Sequence, residues 1–329
     1  MYLLAADIGG TNGRFGLMEY DPSSYKSGNI NYLSSKQITL KCANYPNMAS
    51  MLKDCCAQLQ VTPDYACLAI AGPIENGEAF MTNLNWRFTS KELCAAVGFK
   101  GLHLINDFAA HAFAVPFQKD DEFFVLHKGK TNDHCPILIM GPGTGFGMAQ
   151  LVPNDGKWKV ISTEGGHASF APTNDKELDI KRVLLKQQKH VSVENILSGN
   201  GLVNLYKALA TLAGVTPKNY SPADVSGKGM ANEDPICRDA VLTFCDVLGE
   251  VAGDKALSTG ARAGIVITGG ITAKLLDMIP QSNFIERYKN KGPLVDYVSD
   301  ISIRVVLNDK AALVGSAAWL IHNTPELQA

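Results

Sequence analysis

Apolar residues run in short blocks broken by glycine-rich turns. Tyr2–Ala6 and Arg14–Met18 predict two short strands flanking the turn Asp7-Ile8-Gly9-Gly10-Thr11-Asn12-Gly13. Gln37–Leu40 predicts a third strand and Asn47–Leu59 a helix, while the continuous apolar run Ala66–Ala71 reads as a buried strand. Thr89 and Ser90 offer caps for a helix through Val97, with Glu92 in its first turn. Leu102–Ile105 predicts a strand that delivers Asn106-Asp107 at its C-terminal end, before an apolar helix from Phe108.

A second cycle begins near Glu122. Pro136–Met140 predicts a strand, followed by Gly141-Pro142-Gly143-Thr144-Gly145 and a strand from Phe146 to Val152. Trp158–Ser162 alternates as a strand does. Helical periodicity dominates from Asp175 to about Gly260, with one long stripe through Ile236, Ala240, Val241, Phe244, Val247, Leu248 and Val251. Gly264–Thr268 predicts a strand ending in Gly269-Gly270, and Ile303–Leu307 a last strand before a final helix from Asp309. Gly10-Thr11-Asn12-Gly13-Arg14-Phe15-Gly16 and Gly143-Thr144-Gly145-Phe146-Gly147 are alike, each a Gly-Thr turn with a Phe-Gly exit. Similarity at one domain length predicts two related halves, each with such a turn at a hairpin tip.

Composition narrows this picture. A chain of 329 residues, 46 % apolar and 19 % charged, is long enough for about two domains and needs no covalent staple. With 30 basic against 32 acidic residues it has no basic excess for tracking a polyanion, so no nucleic-acid partner is expected. Glycine, at 30 residues, exceeds the usual ~7 % and falls in clusters. The eight cysteines form no CxxC and sit mostly in apolar stretches, which reads as buried, reduced thiols and no zinc site. The N-terminus lacks a basic n-region, and no apolar run approaches the ~18 residues of a membrane helix, so a cytoplasmic protein with no membrane partner is expected.

A glycine-rich turn frees backbone N–H groups to converge on phosphate oxygens. Two familiar cradles fail on spacing. Phe146 and Met148 stand where a dinucleotide fingerprint needs its third glycine, and Phe124 stands where a P-loop ending in Gly129-Lys130-Thr131 needs its first. What remains is Asp-x-Gly-Gly-Thr near the N-terminus paired with Gly-x-Gly-Thr-Gly in the second half.

That pair resembles the phosphate-1 and phosphate-2 loops of the actin, hexokinase and sugar-kinase superfamily. Ile105-Asn106-Asp107-Phe108, Glu164-Gly165-Gly166-His167, Leu197-Ser198-Gly199-x-Gly201-Leu202-Val203-Asn204-Leu205-Tyr206 and Gly269-Gly270-Ile271 follow the order of the bacterial-type, ATP-dependent glucokinases. The likeness runs from Asp7 to the final helix. No cysteine cluster follows His167, which points to the zinc-free branch.

The resemblance implies an α/β fold of two ribonuclease H-like domains around a central cleft. One comprises residues 1–115 plus 308–329, with the final helix returning to it, and the other residues 116–307. It implies transfer of the γ-phosphate of ATP to O6 of glucose, with Asp107 as the base. A carboxylate at a strand's C-terminal end lies where open α/β sheets bind ligands, although Asp107 also suits the N-cap of the next helix. Asn106, Asn83, Glu164, His167 and Glu194 are the implied sugar ligands. On residue type alone, His167 equally suits a structural turn and Glu194 an exposed helix start. Gly9, Gly10, Thr11, Asn12, Gly143, Thr144 and Gly145 would take the phosphates, Gly269 and Gly270 the adenosine, and Asp7 Mg²⁺ through water. Arg14 suits either a phosphate or a structural salt bridge. A homodimer is also implied. The competing expectations are a kinase for fructose, mannose or N-acetylmannosamine, and a nucleotide-gated sugar-sensing module. A DNA-reading regulator fits poorly with the six residues before Asp7.

Overall fold

Two hairpins organise the chain, one near each unit's start, and the computed structural model describes residues 1–329. β1 (Tyr2–Ile8) and β2 (Asn12–Glu19) pair antiparallel from Tyr2–Glu19 to Ile8–Gly13. Then follow α1 (Ser23–Ser27), β3 (Lys36–Lys41), α2 (Met48–Leu59), β4 (Tyr65–Ile70), β5 (Ile74–Glu75), β6 (Glu78–Met81), β7 (Trp86–Thr89), α3 (Ser90–Val97), β8 (Gly101–Asn106) and α4 (Asp107–Ala114). Next come β9 (Phe123–His127), β10 (Ile137–Pro142), β11 (Phe146–Asn154), β12 (Lys157–Thr163), α5 (Asp175–Leu185), α6 (Gly199–Leu212), α7 (Pro222–Met230) and α8 (Pro235–Thr259). The chain ends with β13 (Gly264–Ile267), α9 (Gly270–Lys274), α10 (Phe284–Lys289), α11 (Val295–Ser299), β14 (Ile303–Val306) and α12 (Ala311–Asn323).

Two compact units result, Met1–Asp120 with Asn308–Ala329, and Asp121–Leu307. The first holds a five-stranded sheet in the order β3-β2-β1-β4-β8, and the second a six-stranded sheet in the order β12-β11-β10-β13-β14-β9. Within each, an antiparallel trio is followed by two parallel neighbours. The same strand order and directions recur, with β9 added antiparallel at the edge of the second sheet. This is the mixed α/β architecture expected for two related halves. The hairpin turns correspond, but the first carries one more residue between its closing pair, Ile8–Gly13, than the second between Pro142 and Phe146.

Local signals explain most element ends. Thr89 and Glu92 form a capping box on α3, and Asn47 caps α2 by accepting from the Ser50 amide. The small sheet β5-β6-β7 is not foreshadowed by the pattern, because strands of two to four residues are too short for alternation to register. The stretch from Asp175 to Gly260 is four helices. In the last of them, α8, burial extends well beyond the expected stripe to include Cys237, Thr243, Cys245 and Glu250. Glu250 is tolerated there because Arg287 and Lys291 both pair with its carboxylate.

α12 packs in the first unit against β1 and α4. Ser316 Oγ donates to the Ala6 carbonyl at 3.1 Å, and Gly315 lies so close to α4 that any Cβ would collide with the Ala110 carbonyl. Each unit has its own apolar core. No helix is long and apolar enough to cross a membrane.

Candidate active site

In the first unit the parallel strands end together. Ile8 of β1 is in register with Ile70 of β4, which is in register with Asn106 of β8. With strands ~4.8 Å apart, the Gly9–Asn12 turn and the start of α4 share one end of the sheet, about 10 Å apart. Asp7, half-buried, sits one residue before that end.

α4 begins one residue earlier than the pattern predicts, and its cap is Asn106 instead of Asp107. Asn106 Oδ1 accepts from the amides of Phe108 at 2.9 Å and Ala109 at 3.3 Å, which commits the acceptor side of its amide to the helix. Its Nδ2 faces the Gly72 carbonyl at 3.5 Å, so any hydroxyl at this side chain meets N–H donors. Asp107 is the first helical residue, where the N-terminal dipole favours its negative charge, and its Oδ1 also accepts from the Phe108 amide at 2.9 Å.

The Gly9–Asn12 turn is closed by the Gly9 amide donating to the Asn12 carbonyl at 2.9 Å. Asn83, from the small sheet's β6–β7 turn, lies against it, and a Cβ on Gly10 would come within 2.8 Å of Asn83 Nδ2. Arg14 makes no ion pair; its guanidinium donates to the Asp309 carbonyl at 3.0 Å. His111, one helical turn after Asp107, is held below its ordinary value by burial. The nearby Asp7 carboxylate opposes that shift and Arg14 adds to it.

In the second unit three segments are laced together. The Gly143 amide donates across its own turn to the Gly145 carbonyl at 2.7 Å, and the Gly143 carbonyl accepts from Gly199 at the start of α6. Glu164 and His167 flank a single 3₁₀ turn, both exposed, with buried Gly166 pressed on the Phe146 carbonyl. The Glu194 amide donates to the Gly166 carbonyl at 2.9 Å. Its carboxylate Oε2 accepts from the Phe146 amide at 2.8 Å and lies where a Gly145 side chain would start. Glu194 is therefore a half-buried anchor of the second glycine turn, with Oε1 left over, and not an exposed helix-start residue. Gly269 has φ +95° and a Cβ there would collide with the Pro142 carbonyl; Gly270 opens α9. That brings Gly269-Gly270 beside the Gly143–Gly145 turn.

The structure thus collects Asp7, Gly9, Gly10, Thr11, Asn12, Asn83, Asn106 and Asp107 at one end of the first unit's sheet. In the second unit, hydrogen bonds and close packing tie Gly143, Thr144, Gly145, Glu164, His167, Glu194, Gly269 and Gly270 together. The residue sequence reasoning misses is Cys42. It looks like any small apolar position after a strand, and nothing in the pattern shows that it bonds to the first glycine turn. All eight cysteines are free. No three or more Cys, His, Asp or Glu side chains gather as a metal cage. A lone carboxylate such as Asp7 is the oxygen donor type that a hard ion takes when water and phosphate oxygens complete its shell.

Comparison with known proteins bears on this constellation. A family model described as Glucokinase matches residues 4–323. The glucokinase of Chromohalobacter salexigens is 41 % identical over 324 residues, covering 97 % of both chains. That of Saccharophagus degradans is 37 % identical, covering 96 % of this chain and 97 % of the relative. The crystal structure of a glucokinase from an Antarctic psychrotroph superposes with a TM-score of 0.85 at 37 % identity, covering 98 % of this chain and 99 % of that one.

Proposed function

The chain belongs to the glucokinase family, and from that premise we propose that it transfers the γ-phosphate of ATP to O6 of glucose, releasing glucose 6-phosphate and ADP. Asp107 accepts the O6 proton as the bond to phosphorus forms, an effect worth roughly 10²–10⁴-fold. Asn106 donates through Nδ2 to a ring hydroxyl. Glu164, His167 and the remaining Oε1 of Glu194 bind further hydroxyls, and Asn83 is a candidate for the same sugar.

The amides of Gly9–Asn12 and Gly143–Gly145 take the phosphates, and Gly269 and Gly270 leave room for adenosine. Asp7 is the residue that would hold Mg²⁺ through water. Bound there, the ion would offset the phosphates' negative charge, which neither turn carries a lysine to do. We further infer a cytoplasmic homodimer, with the dimer checked by light scattering.

The observation that carries this reading is the register Ile8–Ile70–Asn106, which puts a carboxylate and an amide-lined turn on one sheet end. The test is ADP release with MgATP across a panel of hexoses. Glucose is expected to give the highest kcat/KM. A higher value for fructose, mannose or N-acetylmannosamine would replace the substrate, and ATP turnover indifferent to sugar would favour a nucleotide-gated sensing module.

A further inference from the structure

Cys42 follows β3, is fully buried, and belongs to none of the ligand sets above. Both of its hydrogen-bond donors go to the first glycine turn. Its backbone N–H donates to the Thr11 carbonyl at 2.9 Å, and its Sγ to the Gly9 carbonyl at 3.4 Å. A trans peptide unit is planar, so a carbonyl turned one way aims the next residue's N–H the opposite way, and this chain has no cis bonds. Holding the Gly9 carbonyl therefore directs the Gly10 N–H away from Cys42, and holding the Thr11 carbonyl does the same for the Asn12 N–H.

Those amides matter because phosphate is bound by converging N–H groups, and a peptide flipped in place would present a carbonyl oxygen to the anion instead. Gly9 and Gly10 are the positions where such a flip is least opposed by sterics. Burial pushes the Cys42 thiol above its ordinary range, which keeps it protonated and donating at neutral pH. Its burial also argues for a role in shaping the turn and against direct contact with a ligand.

We propose that Cys42 is a positioning residue for nucleotide binding: by clamping the Gly9 and Thr11 carbonyls it aims the Gly10 and Asn12 amides at the phosphates of ATP. This rests on the reading of Gly9–Asn12 as a phosphate turn. The test uses the full chain with Cys42→Ala, which removes the thiol and leaves a void, Cys42→Val, which removes it and fills the space, and Cys42→Ser, which keeps a donor.

Titration with Mg·ADP, without sugar, is expected to show about a 3- to 10-fold weaker Kd for the Ala and Val variants, the range set by one net hydrogen bond. Cys42→Ser is expected to stay within about 3-fold of wild type on the same scale. Turnover should show the same split, with KM for ATP raised and KM for glucose unchanged. A purely structural role would lower Tm and leave Kd alone. The proposal is overturned if a folded Ala or Val variant binds Mg·ADP as tightly as wild type, or if the Ser variant loses as much as Ala. A wild type that binds Mg·ADP but does not phosphorylate glucose defeats the substrate reading and leaves the Cys42 comparison intact. A wild type that binds no nucleotide defeats both.

Discussion

Asp107 and Asn106 divide their work by one position along the chain. The capping duty falls mainly on Asn106, whose Oδ1 accepts from two helix-start amides, while Asp107 Oδ1 accepts from the Phe108 amide. Asp107→Ala should lower kcat by about 10²–10⁴-fold with glucose affinity largely kept, as measured by coupled ADP release and calorimetry. Two substitutions separate the observed contact of Glu194 with the Phe146 amide from its proposed contact with glucose. Glu194→Ala removes the acceptor for the Phe146 amide, so nucleotide binding without sugar should weaken by about tenfold, the loss expected for a charge-assisted bond. Glu194→Gln retains an acceptor for that amide and should weaken glucose binding alone. Equal nucleotide affinity in both variants, by titration with Mg·ADP, would show that the turn does not depend on Glu194.

At the scale of elements, the position of Asp107 depends on a helix 200 residues away in sequence. α12 bonds to β1 through Ser316 and meets α4 where Gly315 permits backbone contact. Gly315→Ala places a Cβ into the Ala110 carbonyl and forces α4 and α12 apart, with an expected cost of ~1–3 kcal/mol in thermal or urea unfolding. Because α4 carries Asp107, kcat should fall along with Tm. A variant that keeps both would show that the contact is loose. The helix start that local chemistry specifies most plainly, the Thr89–Glu92 box, is legible from the pattern. The start of α4 is less so, since Asn106 and Asp107 are both good caps and only the backbone decides between them.

For the whole molecule, two half-buried histidines in the first unit predict an acid-side loss of stability. Burial lowers the pKa of both His103 and His111 from the ordinary 6.5, with Asp7 opposing and Arg14 adding to the shift at His111. The folded state then binds fewer protons than the unfolded chain, so stability is present above about pH 6.5 and is lost as pH falls below it. Tm should decrease between pH 7 and pH 5, and His103→Gln should flatten that slope; an unchanged slope would assign the effect elsewhere.

Some features are legible in the chain before it folds, because they depend on near neighbours. The strand–turn–strand around Gly9–Asn12 and its counterpart at Gly143–Gly145 follow from apolar runs and glycines. The related halves follow from the repetition of that unit, and the candidate ligands from the family resemblance that the motifs carry. Others exist only once distant segments meet. The register of Ile8, Ile70 and Asn106, the clamp of Cys42 on Gly9 and Thr11, the carboxylate of Glu194 under Phe146, and α12 behind β1 all join residues tens to hundreds of positions apart. Periodicity reports which face of an element is buried, but not which atom of another segment it will be buried against.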